Sequence, residues 1–187
     1  MTAMIDDPVE ADSSPLAAFI AATAFAAHKH RDQRRKDARA SPYINHPIAL
    51  ANVLANEAKV CDVSALMAAL LHDTIEDTDT TAEELKAHFG AAVAEIVVEV
   101  TDDKTLKKAE RKRLQVVHAA SIREQAKLVK LADKICNLRD INASPPPDWT
   151  LQRKREYFDW AKEVVDQMRG VHPKLETLFD AQYSRRP

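Results

Sequence analysis

The stretch Ala68-Ala69-Leu70-Leu71-His72-Asp73-Thr74-Ile75-Glu76-Asp77-Thr78 passes directly from an apolar block into a polar, acidic one. Asp62 is placed to cap a helix that runs through Leu66, Ala69 and Leu70 and ends near His72 to Asp77. An imidazole and a carboxylate straight after a buried run must be paired, exposed at the helix end, or bound to something. His72 and Glu76 are four residues apart, as are Asp73 and Asp77, so on a helix each pair shares a face. Acidic groups are disfavoured at a helix carboxy terminus, and this placement therefore requires a cation nearby.

Working outward, almost every segment reads as helix. Ser14 and Pro15 open an Ala-rich helix from Leu16 to about Arg31. Pro47 starts the next and leaves His46 at its mouth. Thr80-x-x-Glu83 or Thr81-x-x-Glu84 offers a capping box and Gly90 a stop, with further helices over 91–100 and 107–119. Ser121-x-x-Glu124 reads as the box that opens an amphipathic helix with Leu128, Leu131, Ala132, Ile135 and Leu138 at helical spacing. The run Ser144-Pro145-Pro146-Pro147-Asp148 breaks it. A long helix from about Thr150 to Met168 and a short one from Pro173 follow. No segment alternates with the two-residue period of a half-buried strand, and no linker is long enough to divide two domains. The expected fold is all-α, a single-domain helical globule over residues 15–183 behind a mobile tail of residues 1–14.

The 187 residues are 45% hydrophobic and 30% charged, an ordinary balance for a folded soluble domain. A formal net charge of -2 gives no overall field favouring nucleic acid or an anionic membrane, so any polyanion must be held by local cations. No apolar run is long enough to span a bilayer, and the acidic amino terminus is unlike a secretory signal. Cys61 and Cys136 lack the paired spacing of a zinc or redox motif and are expected as buried free thiols. Together these point to the cytoplasm. Gly90 and Gly170 are the only glycines, which excludes a glycine-rich phosphate cradle. Phosphates, if bound, must be met by side chains and metal.

His46, His72, Asp73 and Asp133 offer imidazole and carboxylate donors without thiolate, a set that suits Mn²⁺, Fe²⁺ or Mg²⁺ better than closed structural zinc. Glu76 and Asp77 would then stand beside the ion, able to orient an attacking water or take its proton. Asn137, four residues after Asp133, puts an amide within reach of a substrate there. Three basic clusters flank these residues: 28–36 including Arg35 and Lys36, 104–113 including Lys108, and Arg153-Lys154-Arg155 followed by Tyr157. Each reads either as a solvated face or as part of an anion site. With no net basic charge and no nucleic-acid reading motif, a small, highly charged nucleotide fits them better than DNA or RNA.

The segments Arg34-Arg35-Lys36, Tyr43-Ile44-Asn45-His46-Pro47, Ala68 to Thr78 and Val129-Lys130-Leu131-Ala132-Asp133-Lys134 resemble the hydrolase domain of RelA/SpoT proteins. More narrowly, they are similar to the stand-alone small alarmone hydrolases of the MESH1 type, over about residues 16 to 180. The resemblance implies an HD-type helical fold and Mn²⁺ held by His46, His72, Asp73 and Asp133. It implies hydrolysis of the 3′-diphosphate of ppGpp or pppGpp, with Glu76 and Asp77 activating water. Arg35, Lys36 and Asn137 would contact the nucleotide, and Lys108, Arg153 and Tyr157 the rest of its pocket. Cys136 departs from the bulkier aromatic or His of relatives. Two alternatives stay open: a phosphatase for another 2′- or 3′-phosphorylated nucleotide such as NADPH, and a non-catalytic nucleotide-binding HD module.

Overall fold

A computed structural model describes residues 14–187, so the expected mobile tail lies outside the described residues apart from Ser14. Helix α1 (Pro15–Lys29) starts as expected, with the Ser14 side chain accepting from the Ala17 amide. Helix α2 (Asn45–Asn52) takes His46 and Pro47 into its first turn and runs on into a π-helical turn, Val53–Glu57. Asp62 caps α3 (Val63–Leu71), but that helix does not carry the acidic run at its carboxy terminus as expected: the chain turns at His72-Asp73, and Glu76 and Asp77 lie in a separate one-turn α4 (Thr74–Asp77). Thr81 caps α5 (Ala82–Val100). The remaining helices are α6 (Lys108–Ala119), α7 (Glu124–Ala143), α8 (Leu151–Asp166) and α9 (Pro173–Tyr183). Among the described residues the only β pairing is an isolated bridge between Arg34 and Pro42.

Two helices form the centre. In α3 nearly every residue from Ala65 to Leu71 is buried, and α1, α2, α5 and α7 all pack on it. In α7 burial extends from Ala126 to Ile141, against α2, α3, α5, α8 and α9. Leu70, Leu71, Leu131, Ile135 and Leu138 are essentially inaccessible, each contributing about 1.5–3 kcal/mol by leaving water. A bidentate pair between Arg139 and Glu57, at 2.7 and 2.8 Å, ties α7 to the π turn after α2. That lock sets the helix bearing His46 against the helix bearing Asp133.

Three further local details depart from the expectations of the sequence. Gly90 (φ 83°, ψ 165°) breaks the axis of α5 as a stop would, yet the helix resumes immediately on its far side. This backbone region is almost closed to side-chain-bearing residues. Gly90→Ala is therefore expected to destabilise the fold by about 1–3 kcal/mol, measured as a lower denaturant midpoint at unchanged m-value. Ser121 does not cap α7; its hydroxyl donates to the His118 carbonyl at the end of α6. The Glu99 carboxylate takes over instead, accepting from the Arg123 amide at 2.8 Å. Finally, only Cys136 is a buried thiol. Cys61 is exposed, because it sits in the turn between two helices and not on their apolar faces.

Candidate metal centre and active site

The His72-Asp73 pair occupies the joint between α3 and α4, where Asp73 (φ -99°, ψ -1°) ends one helix and starts the next. Its burial follows from that of α3. His72 Nδ1 lies 2.9 Å from the Ala69 carbonyl and donates there, which turns Nε2 toward the cluster. Candidate ligand atoms of His46, His72 and Asp133 all fall within 4.8 Å of one another, bringing α2, α3 and α7 to one point. Asp73 stands beside this trio. Its Oδ2 is 2.9 Å from His72 Nε2 and accepts from the Tyr43 hydroxyl, and the geometry groups only the other three as a cluster.

The donor set fits a divalent cation. His72 Nε2 is buried 2.9 Å from Asp73 Oδ2 without an aligned hydrogen bond to it, and His46 turns Nε2 toward Asp133 Oδ1 at 3.3 Å. Burial works against a charged His72, but the Asp73 and Asp133 carboxylates outweigh it and push the ring up to about 9. The same contact holds Asp73 well below the usual carboxylate range in spite of its burial. Asp133, also resisted by burial, is pulled down by Lys134 and His46. Burial keeps His46 below its ordinary value, and hence neutral and able to ligate. A cluster that raises a histidine and depresses two aspartates favours positive charge at its centre.

Glu76 and Asp77 point to different sides. Glu76 shares a cleft of about 60 Å³ with His72, Asp73, Asp133, Lys130 and Lys134, room for one or two waters. Its Oε2 accepts from the Asp102 amide at 3.2 Å, and Arg111 Nη1 lies 3.4 Å from Oε1. Burial first, and the nearby Asp102 carboxylate second, raise it to about 6. Asp77 accepts from Gln33 Nε2 at 3.0 Å and from Lys104, and lines a larger cavity.

That larger cavity, of about 610 Å³, takes in Arg35, Lys36, His46, Asn137 and Tyr157 among its lining residues. Arg35 stands over the Tyr43 ring and is 2.5 Å from Asp140. Asn137 Nδ2 donates to Asp133 Oδ1 at 2.5 Å, so its amide bears on a candidate ligand as well as on the cavity. Lys108 and Arg153 line a second cavity, of about 690 Å³, which meets the first at Tyr157 and Trp149. The basic clusters are thus divided between two adjoining spaces.

Several participants carried a legible signal that the sequence reading left unused. Lys130 and Lys134 are buried, four residues apart on either side of the Asp133 position in an otherwise apolar stripe. Lys130 donates to the Val100 carbonyl, and burial, followed by the neighbouring Lys134, brings it down to about 8. Lys134 donates to Asp133 Oδ2 at 2.9 Å. Tyr43 belongs to the segment Tyr43 to Pro47, and its hydroxyl donates to Asp73. Gln115 and Trp149 had no local signal at all.

This helical frame with paired His and Asp is that of the family described as HD domain, whose model matches residues 22–159. The chain is 55% identical over 170 residues to the guanosine-3′,5′-bis(diphosphate) 3′-pyrophosphohydrolase MESH1 of Danio rerio, covering 89% of this chain and 94% of that protein. It is 53% identical over 173 residues to the Homo sapiens protein of the same name, covering 92% and 97%. A solved structure described as a metazoan ortholog of SpoT that hydrolyzes ppGpp superposes with a TM-score of 0.89 at 49% identity, covering 93% of this chain and 98% of that one. The chain belongs to the HD-domain family and, within it, to the MESH1 proteins. No helix among the described residues is long and apolar enough to cross a membrane.

Proposed function

We propose that this chain is a Mn²⁺-dependent guanosine-3′,5′-bis(diphosphate) 3′-pyrophosphohydrolase, releasing pyrophosphate and GDP or GTP from ppGpp or pppGpp. The observation that carries the reading is the meeting of His46, His72 and Asp133 between a nucleotide-sized cavity and a water-sized cleft holding Glu76. The name borne by relatives more than half identical supplies the substrate. His46, His72, Asp133 and the adjacent Asp73 would hold the ion. When bound, a divalent cation lowers the pKa of water and neutralises phosphoryl charge.

The chain's own residues do the rest. Arg35 and Lys36 hold the base and adjacent phosphate region, with Tyr157 as an apolar wall. Lys108 and Arg153 in the adjoining cavity take the outlying phosphates. Asn137 orients both Asp133 and the nucleotide. Glu76 accepts the proton of the water that attacks the 3′ phosphorus as its bond to the ribose 3′ oxygen breaks, and Asp77, braced by Gln33 and Lys104, helps to orient that water. The substrate is a small nucleotide; neither nucleic acid nor a membrane surface is part of this reading.

The direct test is purified protein with ppGpp, Mn²⁺ added or chelated, and product analysis. Pyrophosphate and GDP are expected only with metal; intact ppGpp in the metal-replete sample would sink the reading. Glu76 must be ionised to accept a proton. The rate is therefore expected to fall as the pH drops below about 6 and to be independent of pH just above it. Mn²⁺ nearby displaces the limb downward, never upward, so an acid limb above pH 7 would exclude Glu76 as the base. Arg35→Ala is expected to raise KM about tenfold or more, the worth of one charged hydrogen bond, with a smaller effect on kcat.

NADPH is the competing substrate, and the adjoining 690 Å³ cavity would suit its second nucleotide half. Comparing kcat/KM for ppGpp and NADPH on one preparation separates the two, and the proposal expects ppGpp to be favoured.

A further inference from the structure

We propose that Gln115 is a positioning residue whose single amide sets both sides of the reaction centre, Asp133 on one and Glu76 on the other. The inference rests on the metal-dependent reading above. Among the described residues, Gln115 is the one side chain that lines both the small cleft beside the candidate ligands and the 690 Å³ cavity. Its Nε2 donates to Asp102 Oδ2 at 2.7 Å, and its Oε1 accepts from Lys134 Nζ at 3.0 Å. Each partner reaches one step further. The Asp102 amide donates to Glu76 Oε2 at 3.2 Å, and Lys134 donates to Asp133 Oδ2 at 2.9 Å. The amide has one workable orientation, since a flipped group would set oxygen against the carboxylate and NH₂ against the ammonium.

Gln115 is not in place to fill a core. Helix α6 buries only Ala119 and packs chiefly on α8, where Trp160 Nε1 donates to the Lys112 carbonyl. Toward the metal side α6 presents Arg111 and Gln115, while the neighbouring Val116 makes the apolar contact with the core. Lys134 is buried, with its ammonium 4.4 Å from the Trp160 ring centroid. It divides its hydrogen bonds between Gln115 and Asp133. Without the Gln115 carbonyl, Asp133 becomes its one oxygen partner among the described residues. Positive charge then concentrates on a metal ligand and weakens its hold on a cation. Without the Gln115 amide, Asp102 is released, and with it the backbone N–H that fixes Glu76.

The two halves come apart in two variants of the full chain. Gln115→Met matches the size and removes both contacts. The dissociation constant for Mn²⁺, measured by calorimetric titration, is expected to rise about tenfold, and kcat on ppGpp at saturating Mn²⁺ to fall about tenfold, the low end for groups behind metal ligands. KM is expected to stay within a factor of about two. Gln115→Glu keeps an oxygen for Lys134 but faces Asp102 with a second carboxylate. Its Mn²⁺ affinity is expected to match or exceed that of wild type, while kcat falls at least as far. Equal shifts of Mn²⁺ affinity in both variants, or wild-type values of both constants for Gln115→Met, would overturn the proposal. Loss of cooperative melting in both would overturn it too, by making Gln115 a packing residue. Wild-type protein that binds Mn²⁺ but leaves ppGpp intact would sink the functional reading alone, because the titrations still test the Asp133 half.

Discussion

Asp133→Ala is expected to abolish ppGpp hydrolysis, a loss of at least about a thousandfold, and to remove tight Mn²⁺ binding with it. Among the described residues, no other side chain of α7 joins the cluster. Asp133 faces His46 Nε2 at 3.3 Å through Oδ1 and Lys134 through Oδ2, and it is the contribution of α7 to a cluster otherwise drawn from α2 and α3. Alanine leaves two imidazoles and Asp73, with Lys134 now free to turn its charge toward them. The fold should survive, because Lys134 keeps the Gln115 carbonyl and the Trp160 ring. Ligand linkage gives a readout independent of turnover. Mn²⁺ at 100 times its dissociation constant stabilises a binding protein by about 2.7 kcal/mol, so wild-type protein should melt higher with Mn²⁺ and Asp133→Ala should not. A variant that still shows the Mn²⁺-induced rise would remove Asp133 from the ligand set.

Glu76→Gln is expected to lower kcat by about 10² to 10⁴, the usual worth of a general base, while Mn²⁺ binding stays near wild type. The amide keeps the size and can still accept from the Asp102 backbone, so what is lost is the capacity to take a proton. Stability should move the other way. The folded pKa of Glu76, about 6, lies above its ordinary 4.5. The folded state therefore binds the extra proton between those values, and stability contributed by Glu76 declines as pH rises from 4.5 through 6. Above that window the ionised carboxylate costs about 1–2 kcal/mol. The variant should thus be more stable than wild type at pH 7 without metal, by up to that amount, and equal to it near pH 4. Unchanged kcat would show that water is activated elsewhere, with Asp77 as the nearest candidate.

How much of this was legible in the chain depends on the range of the interaction involved. Caps at Ser14, Asp62 and Thr81, the last one of two boxes that the spacing allowed, are contacts across three residues and appear where local chemistry puts them, and Thr150, expected as the start of the last long helix, proves to be its cap. Ser121 fails for the same reason in reverse: its hydroxyl found a nearer carbonyl, and Glu99, 24 residues before Arg123, supplied the amide's partner. Glu76 and Asp77 looked equivalent because neighbours on a short helix share their local environment. Only the packing of α5, α6 and the 30–44 loop gave one to the metal side and the other to Gln33 and Lys104.

The run from Ala68 to Thr78 therefore determined two things unaided. A buried helix ends there, and the imidazole and carboxylates that follow it must be paired, exposed or bound to something. The periodicity of the other segments determined an all-helical globule, because helical spacing and capping are set within a few residues. Tertiary structure decided what those donors meet. It brought Asp133 and His46 to His72, buried Lys130 and Lys134 beside them, and divided the basic clusters between two cavities. Those outcomes depend on how α2, α3 and α7 cross, which is settled by side chains far apart in the chain and by the closing of the core around them.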